Sequence, residues 1–308
     1  MKRIKVFAPA TVANVACGFD ILGFALSGIG DELEAEITNT GIFEIAEIKG
    51  CDGLPTAPEK NVATVAASAL LADYGKNPGF IFKMNKTVLP GSGLGSSASS
   101  SAAAVFAVNE LLGKPYSKEK LVEFAAQGEK AASLKAHYDN VSPSILGGFT
   151  LVRSNDPLDI IKLSYPEELV AVIAHPQVEV KTSDAKKILK QDVKLKDAIT
   201  QWGNVAGLTA GLLTSDFDLI GRSMVDVIVE PVRSMLIPHY DAVKEASLSA
   251  GALGCSISGS GPSIFSLCQG EEDANKVLDA VKKVYANSGL NVLYYVSKIN
   301  NQGAHIIE

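Results

Sequence analysis

The sequence predicts an α+β protein of two domains, in which strands and helices are mixed rather than strictly alternating. Three observations lead to this prediction. Strand-like apolar runs and longer helical segments follow one another without the regular alternation of a doubly wound parallel sheet. The 308 residues exceed the usual length of a single domain. Around residues 154–168 the composition shifts towards Asn, Asp, Pro and Glu, so we divide the chain into residues 1–160 and residues 161–308.

The first domain is expected to begin with a short strand at residues 4–8, followed by an irregular polar stretch at residues 9–18. Its other elements follow from apolar periodicity and from Gly and Pro stop signals. Strands are predicted at residues 21–26, 32–38, 80–86 and 147–152. One helix is predicted at residues 61–74. A second follows the glycine-rich loop at residues 90–101 and stops at Gly113. A third covers residues 117–134, with Ser117 as its N-cap.

The second domain is expected to open with a buried strand at residues 169–174, because this run is short and wholly apolar. Helices then follow at about residues 183–190, 195–214, 217–229 and 239–250. Two strands at residues 255–258 and 263–268 flank the turn Gly259-Ser260-Gly261-Pro262. A helix at residues 271–287 and a strand at residues 291–298 complete the domain.

Composition indicates a globular protein and excludes several functions. Hydrophobic residues make up 47% and charged residues 20% of the chain, and the net charge of -6 argues against a nucleic-acid binder with a broad basic face. The four cysteines match no zinc-site spacing and are too few for a disulfide scaffold, so we expect free thiols. We find neither a signal-peptide pattern nor an apolar run of membrane-spanning length, and we expect a soluble cytoplasmic protein without a membrane partner.

The most informative segment is residues 90–101, where three glycines in five residues lead into a hydroxyl-rich helix. Glycines allow the backbone to approach a ligand closely, and the free N–H groups at a helix N-terminus favour an anion. The segment therefore indicates a nucleotide triphosphate site. It is not a Walker A loop, because no Lys follows the glycines, and Ser96 stands where a dinucleotide fingerprint needs Gly. A flexible loop before a helix N-cap is the alternative interpretation.

Two further polar, Gly-containing segments interrupt apolar stretches, at residues 9–20 and residues 258–263. Irregular polar backbone beside core strands needs hydrogen-bond partners, and a bound ligand is a good candidate. The three segments lie far apart in the sequence, so we expect the fold to bring them together at one site.

In this order, the three segments resemble the three motifs of the GHMP kinase family, and the likeness spans nearly the whole chain. The first motif, and Glu230-Pro231-Val232-Arg233 ahead of the third, are most similar to the members that act on L-homoserine. The resemblance implies an N-terminal domain like domain 2 of ribosomal protein S5, a ferredoxin-like C-terminal domain and an active site between them. It also implies phosphorylation of the L-homoserine hydroxyl by ATP and Mg²⁺ in threonine biosynthesis, by a homodimer.

For the nucleotide, the resemblance implies a loop whose backbone N–H groups wrap the triphosphate. The implied nucleotide-binding residues are Asn61, Val62, Pro90, Gly91, Ser92, Gly93, Leu94, Gly95, Ser96, Ser97 and Ser101. Ser97 and Glu129 match the family's hydroxyl and carboxylate ligands of Mg²⁺, and two protein oxygens suffice for this ion. Without the motif, Glu129 reads as an exposed helix charge and Asn61 as a helix N-cap.

For the amino-acid substrate, Asp20 suits the ammonium group and Arg233 suits the carboxylate, since its planar fork binds two oxygens. Asn14 and Asn140 are expected to orient the hydroxyl. The implied substrate-binding residues are Asn14, Asp20, His137, Asn140, Thr182, Lys186, Arg233 and Gly259. Two of these roles stay open, because His137 and the turn around Gly259 have purely structural interpretations.

One residue departs from the implied pattern. Lys186 stands where the L-homoserine branch carries a second carboxylate-binding Arg. Lysine is a point charge on a flexible stem rather than a rigid fork, so affinity or register could differ. The neighbouring Lys187 could also reach the substrate carboxylate.

The implied catalytic residues are Asn140, Glu129 and Ser97. Some members of the family carry an Asp base, and the resemblance places Asn140 at that position. An amide takes no proton at neutral pH, so we expect catalysis by positioning and electrostatic stabilisation. Two alternatives remain: a kinase of the same family for another alcohol, such as mevalonate or a sugar, and a non-catalytic ligand sensor on the same fold.

Overall fold

The computed structural model describes residues 2–133, 135–178, 180, 188–189 and 192–308, with the side chains of residues 131–133 left aside. The described residues form two β-sheets with helices packed against them, so the predicted α+β class is confirmed.

The first sheet has seven strands and carries the N-terminal half of the chain together with the last strand. Its central order is β11-β1-β2-β4-β3, while β5 pairs with β2 and β6 pairs with β5. The strands are β1 (Arg3–Ala13), β2 (Leu22–Thr38), β3 (Phe43–Lys49), β4 (Gly79–Asn85), β5 (Phe149–Asn155), β6 (Leu158–Leu163) and β11 (His305–Ile306). The predicted domain boundary at residue 160 lies within β6.

Four helices accompany this sheet, and the second of them is the most deeply buried. They are α1 (Val62–Tyr74), α2 (Ser96–Leu111), α3 (Lys118–Ser133) and α4 (Tyr138–Leu146). Helix α2 packs against α1, α3, β1 and β2. Its small side chains, Ser99 to Ala104, are all buried, and they allow this close approach. The glycine-rich loop therefore leads directly into the centre of the first core.

The second sheet has four antiparallel strands in the order β10-β7-β9-β8. They are β7 (Leu169–Pro176), β8 (Gly254–Ile257), β9 (Ile264–Gln269) and β10 (Val292–Lys298). The described residues of this half form five helices, namely α5 (Leu195–Thr214), α6 (Phe217–Ser223), α7 (Glu230–Arg233), α8 (Tyr240–Ser249) and α9 (Gly270–Tyr285). A 3₁₀ turn, Ser234–Leu236, follows α7.

Strand β7 is buried on both faces, as its apolar run predicts. Val170, Val172 and Ala174 face a core formed with α8 and α9. Leu169, Ala171 and Ile173 face a second core, which includes α5 residues and also β1 and β2 residues of the first sheet. This shared core holds the two sheets together, so the loops between them keep fixed positions.

Three predicted strands of the N-terminal half were wrong in extent. Strand β1 continues through Ala13, because residues 11–13 pair with β2 after a register shift between Pro9 and Thr11. The predicted strands at residues 21–26 and 32–38 form one strand, β2, because pairing with β1 includes Gly30 and Asp31 and resumes at Ala25 on the other side of the register shift. Asn61 caps α1 through its side chain, as predicted.

Other elements were missed or misplaced. Helix α4 was not predicted because Pro143, an interior helix breaker by sequence, lies within it. The predicted helix at residues 217–229 ends at Ser223, and Asp226 then accepts hydrogen bonds from the backbone N–H groups of residues 228–230. Strands β3, β6 and β11 were also missed, and the predicted helix at residues 183–190 falls mostly outside the described residues. Among the described helices, none combines the length and apolar character needed to cross a membrane.

Candidate active site

A cavity of about 730 Å³ collects residues from all three polar segments. It lies at the N-terminus of α2, beside α4 and the Gly259 turn. The predicted site residues that line it are Asn14, Asp20, Asn61, Val62, Pro90, Gly91, Ser92, Gly93, Gly95, Ser96, Ser97, Glu129, His137, Asn140, Arg233 and Gly259. Thr182 and Lys186, together with Lys187, lie outside the described residues.

The glycine-rich loop depends on glycine at alternate positions. Gly91, Gly93 and Gly95 all have positive φ, between 68° and 78°, a conformation that glycine adopts without strain. A Cβ atom at Gly93 would lie 2.6 Å from the carbonyl oxygen of Ser258. A Cβ atom at Gly95 would lie 2.1 Å from Thr11 Oγ1. The loop thus packs against the first and third polar segments at distances that exclude any side chain.

Three consecutive carbonyl groups of the loop are bonded to these segments. Ser258 Oγ donates to the carbonyl of Gly93 over 2.7 Å. The backbone N–H of Thr11 donates to Leu94 over 3.1 Å, and that of Ser263 donates to Ser92 over 3.3 Å. In a planar trans peptide the N–H points opposite to the C=O. The N–H groups of Gly93, Leu94 and Gly95, which follow these carbonyls, therefore point away from the two segments. Gly93 and Gly95 are also residues that line the cavity.

Two predicted nucleotide-binding residues do not line the cavity. The side chain of Leu94 is 3% exposed and packs into the core shared by the two sheets. Ser101 Oγ is buried one turn further along α2 and donates to the carbonyl of Val62 over 3.4 Å. Leu94 anchors the loop, and Ser101 ties α2 to α1.

Asn61 caps helix α1 and also lies at the cavity wall, which is compatible with both interpretations of the sequence. Its Oδ1 accepts from the N–H of Ala63 as the N-cap of α1, and its Nδ2 donates to the carbonyl of Pro55 over 2.8 Å. Asn61 and Val62 line the cavity at the same time, together with Leu54 and Pro55. The cap therefore holds an apolar wall of the cavity in place.

Ser97 and Glu129 both line the cavity, near the loop amides. Glu129 lies on α3 and is only 4% exposed, so it is not the surface charge that its helix position suggests. A hydroxyl and a carboxylate are hard oxygen donors, the kind that Mg²⁺ prefers. The donor set present here fits this ion.

The two predicted asparagines have different surroundings. Thr11 Oγ1 donates to Asn140 Oδ1 over 2.9 Å, which fixes the plane of the Asn140 amide at the cavity wall. The amide of Asn14 is engaged at both ends, since Nδ2 donates to the carbonyl of Gly259 and Oδ1 accepts from the N–H of Asp20. Asn14 thus joins the first polar segment to the third, whereas Asn140 faces the site.

A cluster of titratable groups lies beside Asn140. Ligand atoms of Asp20, His137 and Asp139 are within 4.8 Å of one another. Lys135 forms an ion pair with Asp20, so an alkylammonium group already lies against this carboxylate. Exposed ion pairs are weak, and the Lys135 side chain is 54% exposed. The cluster therefore suits the ammonium group of an amino acid.

Asp139 is the member of this cluster that the sequence analysis missed. It is 2% exposed, and its Oδ1 has no hydrogen-bond partner among the described residues. Burial, reinforced by the charges of Asp20 and Glu129, raises the pKa of Asp139 from 3.8 to about 7. A cation bound beside it would favour the carboxylate form. Its position before Asn140 was the available signal, and the sequence reading passed over it.

Arg233 is held rigidly at the wall of the same cavity. Its guanidinium lies over the Phe19 ring at 4.9 Å, and Nη1 donates to the carbonyl of Gly259 over 3.2 Å. Burial lowers the pKa of Arg233, and the nearby Asp20 and Asp226 partly offset this effect. Phe19 lies within the first polar segment, residues 9–20, and the sequence analysis assigned it no role. Its ring faces a cation that stays charged in proteins.

Replacing Asp139 with Asn is expected to change how the free energy of unfolding depends on pH. With a pKa of about 7, folded Asp139 holds a proton that the unfolded chain has released. The contribution of Asp139 to wild-type stability therefore falls as pH rises from about 4 to about 7. The Asp139→Asn variant lacks this loss, so its stability relative to wild type rises over the same range.

Urea unfolding at about pH 5 and about pH 8 measures this difference. The exposed Asp52→Asn variant is the control and should track wild type at both values. A stability difference between Asp139→Asn and wild type that does not change with pH would contradict the assignment.

Comparisons with known proteins agree with this geometry. Family models described as GHMP kinases N terminal domain and GHMP kinases C terminal match residues 61–148 and residues 208–287. A curated relative named homoserine kinase, from Chlorobium phaeovibrioides, is 47% identical, with full coverage of both chains. Another of that name, from Xanthomonas campestris, is 36% identical and covers 100% of this chain and 95% of its own.

Solved structures give the same result. The crystal structure of homoserine kinase from Cytophaga hutchinsonii superposes with a TM-score of 0.97 at 51% identity, over 100% of this chain and 98% of that one. The mevalonate kinase of L. major has a TM-score of 0.72 at 14% identity, covering 97% and 96%, and so shares the fold. The predicted two-domain fold is confirmed. The chain belongs to the GHMP kinase family, in the branch whose curated members are named homoserine kinase.

Proposed function

We propose that the protein transfers the γ-phosphoryl group of ATP to the side-chain hydroxyl of L-homoserine. The products are ADP and O-phospho-L-homoserine, an intermediate of threonine biosynthesis. The observation that carries the proposal is that one cavity contains both the glycine-rich loop and the charged side chains of Asp20, Asp139 and Arg233. These charges match those of an amino acid. The names of relatives that match over the full chain support the same reaction.

The nucleotide end of the site is formed by the loop and the start of α2. Gly93 and Gly95 line the cavity and would offer their amides to the phosphates, and Ser96 and Ser97 begin the helix. Gly95 has no side chain to cap α2, so the first-turn N–H groups are left for the triphosphate. The wall near Asn61 and Val62 would then receive the base.

Ser97 and Glu129 would hold Mg²⁺ at the phosphates. When bound there, the ion offsets negative charge on the phosphate oxygens and helps align them. The remaining positions around the ion would belong to phosphate oxygens and water, as is usual for this metal.

The substrate end of the site is matched to both charges of an amino acid. Asp20 and Asp139 would bind the ammonium group, with His137 beside them, and Lys135 would release Asp20 as the substrate enters. Arg233, stacked on Phe19, would bind the carboxylate. Thr182 and Lys186 are proposed to complete this end of the site.

The chain's own residues act mainly by positioning. The Asn140 amide, fixed by Thr11, would hold the hydroxyl oxygen in line with the γ-phosphorus. The new P–O bond then forms as the bond to the β-phosphate breaks, and ADP leaves. Loop amides stabilise the charge of this loose transition state. The hydroxyl proton leaves late, to a phosphate oxygen or to water, since Asn140 accepts none.

A coupled ADP-release assay tests the proposed function. With ATP and Mg²⁺ we expect turnover on L-homoserine and none on mevalonate, galactose or L-threonine. Ser97→Ala and Glu129→Gln should each lower kcat at least about tenfold, because each loses a transition-state contact of at least about 1.4 kcal/mol.

The Glu123→Gln variant changes a half-exposed residue on the same helix as Glu129, so it is the matched control and should retain wild-type kcat. Turnover on another alcohol in place of L-homoserine would contradict the substrate assignment. ATP binding without turnover on any of the four would indicate a sensor.

We also propose that the protein acts in the cytoplasm as a homodimer. All four cysteines are free, which suits a reducing compartment. Leu195, Ile199 and Trp202 recur at helical spacing on α5 and are 52–68% exposed, so they form an apolar row suited to a second copy.

Sedimentation velocity should give twice the mass of one chain for wild type and a shift to monomer for Ile199→Glu. A monomeric wild type at about 10 μM would contradict the dimer.

A further inference from the structure

A buried ion pair lies beneath the glycine-rich loop, and the reaction described above does not use it. Lys86 follows β4, Asp31 lies in β2, and their side chains are 2% and 1% exposed. Burying two charges is costly, and well-packed apolar residues in their place are often at least as stable. The stability of the fold therefore does not explain this pair.

Asp31 fastens the two ends of the loop to one carboxylate. Its Oδ1 accepts from the backbone N–H groups of Thr87 and Val88, over 3.2 and 3.3 Å, where the chain leaves β4. Its Oδ2 accepts from the hydroxyls of Ser99 and Ser100, in the first turns of α2. A single side chain thus spans the entry and the exit of the loop.

Lys86 completes the same connection. Its Nζ donates to the carbonyl of Ser96 over 2.9 Å and to Ser100 Oγ over 2.8 Å, in addition to its ion pair with Asp31. Ser96 Oγ in turn donates to the carbonyl of Val88 over 2.6 Å. An ammonium group has three donors, and all three are used.

This saturation distinguishes Lys86 from the lysine of a Walker A loop. Lys86 is among the residues that line the cavity, yet its donors are directed at the loop and at Asp31 rather than at a ligand. A saturated ammonium contributes by holding neighbouring groups in place. The Ser96 carbonyl that it binds is the first of α2, next to the amides that face the cavity.

We infer that Lys86 and Asp31 are positioning residues that fix the ends of the phosphate-binding loop in the geometry that nucleotide binding requires. The inference rests on the proposed function, in which residues 90–97 bind the triphosphate. The Walker A pattern places a lysine after the glycines, so it does not identify Lys86, which comes before them, directly after strand β4.

The test compares the single variant Lys86→Met with the double variant Asp31→Leu/Lys86→Met. The single variant leaves Asp31 buried without its partner and should be strongly destabilised. The double variant removes both charges and should recover most of the melting temperature. Under our inference it still raises KM for ATP and lowers kcat, each at least tenfold, while KM for L-homoserine changes less than twofold.

A purely structural pair gives the opposite pattern, in which the double variant recovers activity along with stability. Lys86→Arg keeps the charge but moves the donors, and it should show an intermediate rise in KM for ATP. If neither Lys86→Met nor the double variant folds, KM for ATP is measured on Lys86→Arg. Lys83→Met, from the same strand and with a half-exposed side chain, is the control and should match wild type.

Amide hydrogen exchange of the ligand-free protein separates this inference from the proposed function. Exchange across residues 90–97 should be at least tenfold faster in the double variant, or in Lys86→Arg if the double variant does not fold, than in wild type and Lys83→Met. This result is expected whether or not wild type phosphorylates L-homoserine. Loop exchange in the variant that matches wild type would overturn the inference. If wild type binds ATP, an equal affinity for ATP in the variant would overturn it as well.

Discussion

The site depends on one requirement of the peptide backbone. Amides of residues 90–97 can face an anion only if the carbonyls of the same peptides find partners on the other side. The first and third polar segments supply those partners, through Thr11, Ser258 and Ser263. Segments far apart in the sequence therefore converge on the loop because each completes its hydrogen bonding. The core shared by the two sheets keeps them at that distance.

The substrate end of the cavity is governed by charge balance. Asp139 and Arg233 are buried at the cavity wall, and Asp20 beside them is partly exposed and paired with Lys135. A zwitterionic ligand places a cation beside the acids and an anion beside the arginine, so binding lowers the cost of burying Asp139 and Arg233. A sugar carries neither charge and mevalonate carries only the carboxylate, so the pairing of both charges favours an amino acid over these two alcohols.

Much of this arrangement could be predicted from the sequence, because some signals are local. Glycine spacing indicated the loop, the short apolar run at residues 169–174 indicated a buried strand, and Asn61 indicated a helix cap. Motif resemblance then supplied many of the residues that line the cavity, but it missed Asp139 and included Leu94 and Ser101, which do not line it. Other features could not be predicted, since their cause is three-dimensional. Lys86 and Asp31 are 55 positions apart, and either alone reads as a surface charge. Pro143 concealed helix α4, which carries both Asp139 and Asn140.

The most direct measurement is the affinity of ATP for a Gly93→Ala variant, by isothermal titration calorimetry. A Cβ at Gly93 would meet carbonyl oxygens of the third segment at 2.6 and 2.8 Å, and φ is +78°. Gly289→Ala is the control, because it carries a similar φ of +72° with open space around the new Cβ. Our account predicts at least a tenfold loss of affinity, about 1.4 kcal/mol, for folded Gly93→Ala and none for Gly289→Ala. Wild-type affinity in folded Gly93→Ala would contradict it.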